Sequence, residues 1–280
     1  MERLGFIGFG NMGSALAAGF VKYGGFKAAD IYAFAPDQHK LAANCKVAGI
    51  NPCPSPDELV QKCDTIFLAC KPYQIEGVIG QLGDLLDGKS IVSVAAGWDF
   101  NGLKALVPEN ARVQCVMPNT PVSVGKGIFL MAESNDWEKE ERQALTDLFN
   151  KTGKTVVLAD RLIDAGTAVS GCGPAFFDMV MEAMADGAVK NGIPRPQAYE
   201  LASAAMAGCA ALQLETGLHP GQLKDAVCSP GGTTIKGVAS LEESGIRSAF
   251  IKAVDAVLEV PKELTNFNDF YAFRDRKSGE

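Results

Sequence analysis

Two glycine-rich stretches hold the residues whose types and spacing could do chemistry. The first is Gly8-x-Gly10-x-x-Gly13, which follows the apolar run Leu4–Ile7 and precedes Ala15, Leu16, Ala18 and Gly19 at helical spacing. A strand, a tight turn and a helix in that order are what a dinucleotide pyrophosphate needs. The first glycine makes the turn, the second lets the backbone approach the phosphates, and the third lets the helix pack on the strand. The N–H groups of the helix start, from Gly10 through Asn11, Met12 and Gly13, then hold the anion at the positive end of the helix. The second stretch is Ser229-Pro230-Gly231-Gly232-Thr233-Thr234, in which Pro-Gly-Gly forces a turn. Ile235, Val238, Ala239 and Leu241 suit a new helix with both threonines in its first turn. Backbone donors, two hydroxyls and a positive helix end facing one spot would hold a small carboxylate without an arginine. The same residues would also serve as a plain helix cap after a loop.

Residues 1 to about 160 supply the elements for the first turn. Short runs rich in branched or aromatic residues, Ile31–Phe34, Thr65–Ala69, Ser90–Val94, Arg112–Met117, Ile128–Met131 and Thr155–Leu158, alternate with helical stretches such as Asp37–Ala48, Asp57–Lys62, Gln74–Leu86 and Asp136–Asn150. This alternation predicts an α/β fold, a Rossmann-type doubly wound parallel sheet over 1–160 with helices on both faces. Ligands in such sheets sit just past the strand ends, which singles out Ala69, Lys71 and Pro72, then Ala95, Ala96 and Gly97, then Met117-Pro118-Asn119. Lys71 also fits a solvated loop charge, and Met117 also fits core packing.

From about residue 161 to 280 the strand signals vanish and alanine, glycine and methionine dominate Ala175–Lys190, Gln197–Glu215 and Ile246–Phe270. The segment Leu201–Leu212 carries no charge on any face, so it should be enclosed by other helices. An all-α domain this thin, with small side chains that allow close backbone approach, predicts a core shared between subunits; a self-contained helical cap is the alternative.

At 280 residues, 47% hydrophobic and 21% charged, the chain can bury a substantial core and fill two ordinary domains. A net charge of −7 argues against nucleic acid and against an anionic membrane surface as partners. No apolar run approaches a spanning helix, and the first strand begins where a leader would lie. The eight cysteines are scattered, with no C-x-x-C pair and no histidine cluster, which predicts reduced thiols in a cytoplasmic protein and no metal site. The two histidines, His39 and His219, are poor candidates for a catalytic acid.

Across essentially its whole length the sequence resembles the pyrroline-5-carboxylate reductase family. The residues that carry the resemblance are Gly8–Leu16, Leu68–Pro72, Ser93–Gly97 and Val116–Pro121, then Ser170–Ala175, His219–Asp225 and Ser229–Ile235. The last block, placed after a glycine-rich dinucleotide fold, is the most specific. The resemblance implies reduction of the C=N bond of Δ1-pyrroline-5-carboxylate to L-proline by hydride from NADPH or NADH. It assigns the substrate carboxylate to Ser229, Gly231, Gly232, Thr233 and Thr234, with the Thr234 hydroxyl at the ring nitrogen. It assigns the cofactor to Gly8–Gly13, Ala69, Lys71, Pro72, Ala95, Ala96, Gly97 and Asn119. It also implies homodimers through the helical domain, which in some members assemble into decamers.

Three features depart from that family pattern. Cys172 stands in place of the usual serine, Cys115 in place of an arginine, and Pro56 in place of an asparagine. The second strand ends Tyr32-Ala33-Phe34-Ala35-Pro36-Asp37, with no arginine for a 2′-phosphate and no acid at its tip for a ribose diol; Lys40 is the candidate substitute. Two other readings stay open at this level. A β-hydroxyacid dehydrogenase shares the architecture but wants a lysine early in the first long helix of the second half, and Ala175–Val189 contains none. A non-catalytic nicotinamide-binding protein would keep the fold but has no need of a carboxylate turn.

Overall fold

A computed structural model describes residues 1–259, of which 1–171 and 172–259 form separate compact units. The first unit begins β1 (Leu4–Ile7), α1 (Asn11–Lys22), β2 (Ile31–Phe34), α2 (Gln38–Ala48), β3 (Asn51–Pro52), α3 (Pro56–Lys62), β4 (Thr65–Leu68) and α4 (Ile75–Leu82). It continues with β5 (Ser90–Ser93), α5 (Phe100–Lys104), β6 (Arg112–Pro118), β7 (Gly127–Asn135), α6 (Lys139–Thr152), β8 (Gly153–Leu158) and α7 (Ile163–Ser170).

Every residue of β1, β4 and β5 is buried, as expected of strands covered on both faces. Side chains alternate across them, so two cores form. Phe6, Phe67 and Val92 face one core with Leu16 and Phe20 of α1 and Leu145 and Phe149 of α6. Ile7, Ile66, Leu68 and Ile91 face the other with Leu59, Ile79 and Leu103. Stacked rings fix the first core: the Phe129 and Phe149 centroids lie 4.1 Å apart and those of Phe6 and Phe67 lie 4.8 Å apart.

The eight-stranded sheet has the order β3-β2-β1-β4-β5-β6-β7-β8. Every pairing from β3 to β6 is parallel, as the alternation predicts. The far edge corrects that expectation: β7 is antiparallel to β6, and β8 runs parallel to β7. The reason is connection length. Only residues 119–126, containing a 3₁₀ turn over Thr120–Val124, join β6 to β7, too short for a crossover helix. By contrast α6 provides the crossover from β7 to β8. Helix α7 packs on β6 and β7, so the first unit extends to Gly171, beyond the change of composition near 160.

The second unit, as described, contains helices and no strand: α8 (Gly173–Lys190), α9 (Arg195–Thr216), α10 (Pro220–Ala226), α11 (Thr233–Glu243) and α12 (Ile246–Leu258). The helical expectation for 260–270 lies outside the described residues. Helix α8 packs against α9, and α11 against α12. Among the described residues of this unit, those fully buried are Gly173, Ala185, Ala198 and Ala202. No large side chain is buried, while Met179 of α8, Leu201 and Leu214 of α9 and Ile251 of α12 are each more than half exposed. Among the described residues, the helices of this unit do not supply the enclosure expected for α9. No helix among the described residues is long and apolar enough to cross a membrane.

Candidate functional site

The strand order places β1 between β2 and β4, and the chain leaves β1 at Gly8. Gly8 N–H donates to Phe34 O at 2.8 Å, and Ala69 N–H donates to Ile7 O at 2.8 Å, so the turn is held from both neighbouring strands. Each glycine of the motif then shows its reason. Gly8 has φ +96°, and a Cβ there would lie 2.4 Å from Cys70 N. A Cβ on Gly13 would lie 2.6 Å from Gly8 O, so this residue lets α1 close onto the turn. A Cβ on Gly10 would meet nothing within 4 Å. Its face is open, which leaves room for a ligand to approach the backbone. No side chain caps α1, so its first N–H groups are available to an anion.

Around this turn lies a cleft of about 620 Å³. Gly8, Gly10, Asn11 and Met12 line it from the turn, Ala69, Cys70, Lys71 and Pro72 from the end of β4, and Val94, Ala95 and Ala96 from the end of β5. Phe34, Ala35, Pro36 and Lys40 close it on the β2 side, and Gln74, Val78 and Thr120 complete it. The open Gly10 face, the uncapped helix start and the two ammonium groups fit a dinucleotide.

Of the sequence-derived cofactor residues, Gly13, Gly97 and Asn119 do not line the cleft. Gly13 acts beneath the turn. Asn119 is 7% exposed and both ends of its amide are committed: Oδ1 accepts from Ile128 N–H at 2.9 Å, and Nδ2 donates to Ser170 O at 2.9 Å. Gly97, with φ +81°, lines a second cavity of about 430 Å³ that shares Ala95 and Ala96 with the cleft. Met117, Cys115, Asp99 and Asp160 line that cavity too. Burial, then the charges of Asp99 and Asp160, push the Cys115 thiol up to about 12, so it stays protonated at neutral pH.

Residues missing from the sequence reading are those that hold the loops. Trp98 Nε1 donates to Pro72 O at 3.0 Å, and Lys71 N–H donates to Gln74 Oε1 at 3.1 Å. A tryptophan directly after Ala95-Ala96-Gly97 is the one signal that pointed to the first of these.

In the second unit, the Pro-Gly-Gly turn closes with Gly232 N–H donating to Ser229 O at 3.0 Å, and Gly231 takes φ +69°. Helix α11 starts at Thr233 with no side-chain cap. The N–H groups of Thr233 and Thr234 are thus the uncapped donors of its first turn, and both threonines and Ser229 are exposed. Gly232 contributes backbone shape, its N–H being engaged within the turn. His219 has a structural position: it caps α10, its Nδ1 accepting from Gly221 N–H at 3.0 Å.

Residues 160–264 match the family described as "Pyrroline-5-carboxylate reductase dimerisation", and residues 3–97 the family described as "NADP oxidoreductase coenzyme F420-dependent". The chain is 41% identical to the pyrroline-5-carboxylate reductase of Treponema pallidum over 260 residues, 91% of this chain and 98% of that protein. It is 39% identical to the Escherichia coli enzyme of the same name over 265 residues, 94% of this chain and 98% of that protein. The crystal structure of Plasmodium falciparum pyrroline carboxylate reductase with NADP bound matches it with a TM-score of 0.84 at 31% identity, covering 95% of this chain and 100% of that one. This chain belongs to the pyrroline-5-carboxylate reductase family.

Proposed function

We propose that the chain reduces Δ1-pyrroline-5-carboxylate to L-proline with hydride from a reduced nicotinamide dinucleotide, NADPH or NADH. The observation that carries this reading is the presence, in a chain of this family, of two different uncapped helix starts: α1 beneath the open Gly10 face and α11 beside two threonine hydroxyls.

The nicotinamide, when bound, supplies the hydride. The protein's tasks are then to bind, orient and exclude water. The N–H groups at the start of α1 hold the pyrophosphate, and Lys71 adds positive charge at the end of β4. Ala95 and Ala96 form a tight apolar wall that limits water beside the nicotinamide. Gly97 continues that wall. On the substrate side, the Thr233 and Thr234 N–H groups and the Ser229 hydroxyl bind the carboxylate. Gly231 and Gly232 give the turn its shape. The Thr234 hydroxyl hydrogen-bonds the ring nitrogen and orients the ring. A protonated imine is already an electrophile, so no strong general acid is required.

The uncovered apolar side chains of α8, α9 and α12 support a homodimer formed through the helical unit. Light scattering on the purified protein tests this, and it separates a dimer from the decamer that the resemblance allows. We place the reaction in the cytoplasm, where free thiols persist. The decisive experiment is the loss of nicotinamide absorbance on adding Δ1-pyrroline-5-carboxylate, with proline identified as product. No pyrroline-dependent oxidation with either NADPH or NADH would sink the proposal.

A further inference from the structure

The cavity of about 430 Å³ beside the cleft is lined by three carboxylates, those of Asp99, Asp160 and Asp164, against one cation, Arg161. Two of these carboxylates are held in place through one oxygen and leave the other unused. Asp99 Oδ1 accepts from Gly102 N–H at 2.8 Å and Asp160 Oδ1 accepts from Ser134 N–H at 3.0 Å, while neither Oδ2 has a partner among the described residues. Arg161 is exposed and pairs with neither of them. Cys115, one of the departures from the family pattern, lies on the cavity wall at 8% exposure, and its thiol has no hydrogen-bond partner among the described residues. Asp99 and Asp160 both raise its pKa and no cation lowers it, so the negative charge is not offset there. Ser93 Oγ, 2% exposed, accepts from Ala95 N–H at 3.3 Å and keeps a second lone pair. The cavity wall thus offers unused acceptors with no protein cation to meet them.

The occupant that suits such a wall is a cation able to reach several separated acceptors. No three of the described His, Cys, Asp and Glu residues come together closely enough to hold a metal ion, and a protonated Cys115 thiol is not a metal ligand. An ammonium is a compact, strongly hydrated point charge. A guanidinium spreads its N–H donors over a plane, gives up water more readily and stacks on aromatic faces. Trp98 and Phe100 line the cavity and supply such faces. Ala132 and Ile163 give it an apolar side with room for a short alkyl chain. We infer that this cavity binds a small alkylguanidinium cation, its N–H groups donating to Oδ2 of Asp99 and of Asp160 and its alkyl group lying against Ala132 and Ile163. The cavity is distinct from the cleft, with which it shares Ala95 and Ala96, so this binding requires no bound dinucleotide.

Calorimetric titration with methylguanidinium chloride at constant ionic strength tests this, with methylammonium chloride as the comparison. Methylguanidinium should bind the wild type saturably, a single cation per chain, and roughly tenfold tighter than methylammonium. Asp99→Asn and Asp160→Asn keep the oxygen that accepts from Gly102 or Ser134 N–H and remove only the charge. Each should weaken methylguanidinium binding roughly tenfold, the scale of one charge-assisted hydrogen bond. Cys115→Arg sets a tethered guanidinium on the cavity wall and should abolish binding of the free cation, whereas Cys115→Ser should bind it as the wild type does. The site would be overturned by an absence of saturable binding, or by binding that Cys115→Arg or either asparagine variant retains in full. Methylammonium binding as tightly as methylguanidinium would overturn the choice of cation.

Discussion

The indole Nε1 of Trp98 donates to the carbonyl oxygen of Pro72 at 3.0 Å, joining the loop that leaves β5 to the loop that leaves β4. Both loops line the cleft proposed for the dinucleotide, through Ala95 and Ala96 on one side and Lys71 and Pro72 on the other. Trp98 thus ties two walls of that cleft together. Trp98→Phe keeps most of the ring and loses the donor. It should raise the KM for the dinucleotide roughly threefold to tenfold, the value of one net hydrogen bond. The KM for pyrroline-5-carboxylate should stay near that of the wild type. An unchanged dinucleotide KM would show that the two loops hold their spacing without this bond.

Asn119 ties three elements together at the end of β6. Its side chain accepts from the first residues of β7 at Ile128 and donates to the end of α7 at Ser170. Asn119→Ala would leave a donor and an acceptor unpaired in a largely buried place, at a cost of about 2–3 kcal/mol. Asn119→Asp retains the acceptor for Ile128 and sets a carboxylate oxygen against the Ser170 carbonyl, so it should recover only part of the loss. Denaturant midpoints for the two variants measure this. An alanine variant as stable as the wild type would mean that water replaces both bonds.

These two residues also show what a sequence can convey. The turn at Gly8 was legible because its reasons are local: a positive φ, a close approach and an open face are imposed by neighbours in the chain and the next strand. The parallel strands β1, β2, β4, β5 and β6 were legible for a similar reason, each being an apolar run of strand length bounded by helix signals; the two-residue β3, Asn51–Pro52, carries no such signal and was missed. The antiparallel β7 was missed because direction follows from the length of a loop whose structure, a 3₁₀ turn, has no periodic signal. Asn119 was read as a cofactor ligand because its place at a strand end looks the same in sequence whether the side chain points to a ligand or braces two elements. The α5 and α7 helices were missed because they are short, five and eight residues, and take their stability from packing on the sheet.

Asp64 gives a prediction in pH. Its carboxylate accepts from Glu2 N–H at 2.8 Å and Arg3 N–H at 2.7 Å, pinning the entry to β1 beside β4. Burial alone would raise its pKa, but these backbone bonds, with the positive N-terminal group, outweigh burial and hold it below the ordinary carboxylate range. A folded pKa lowered in this way contributes stability above the unfolded value, and that contribution is lost as pH falls through the folded value. Asp64→Asn should therefore cost about 1 kcal/mol at neutral pH, a modest figure because solvent screens the exposed side of the group. The difference from wild type should shrink as the pH drops through and below the carboxylate range. Equal stability at neutral pH, or a gap that widens on acidification, would contradict the assignment.

Thr234 carries the sharpest test of the proposed chemistry. It occupies the first turn of α11, where its N–H and that of Thr233 are uncapped and its side chain is exposed. In the proposed site the carboxylate is held by backbone N–H groups and the Ser229 hydroxyl, which a substitution of the Thr234 side chain leaves in place. The proposed orientation of the ring nitrogen draws on the hydroxyl, which Thr234→Ala removes. The two tasks therefore separate in kinetics. Thr234→Ala should lower kcat roughly tenfold to a hundredfold, the scale expected when a reacting ring loses its alignment. The Kd for the dinucleotide should be nearly unchanged, because that ligand is assigned to the first unit. Thr234→Ser restores a hydroxyl on the same atom and should recover most of the rate. If the serine and alanine variants were equally slow, the methyl group's packing, and not the hydroxyl, would be what the helix start requires. If both matched the wild type, Thr234 would have no part in the reaction.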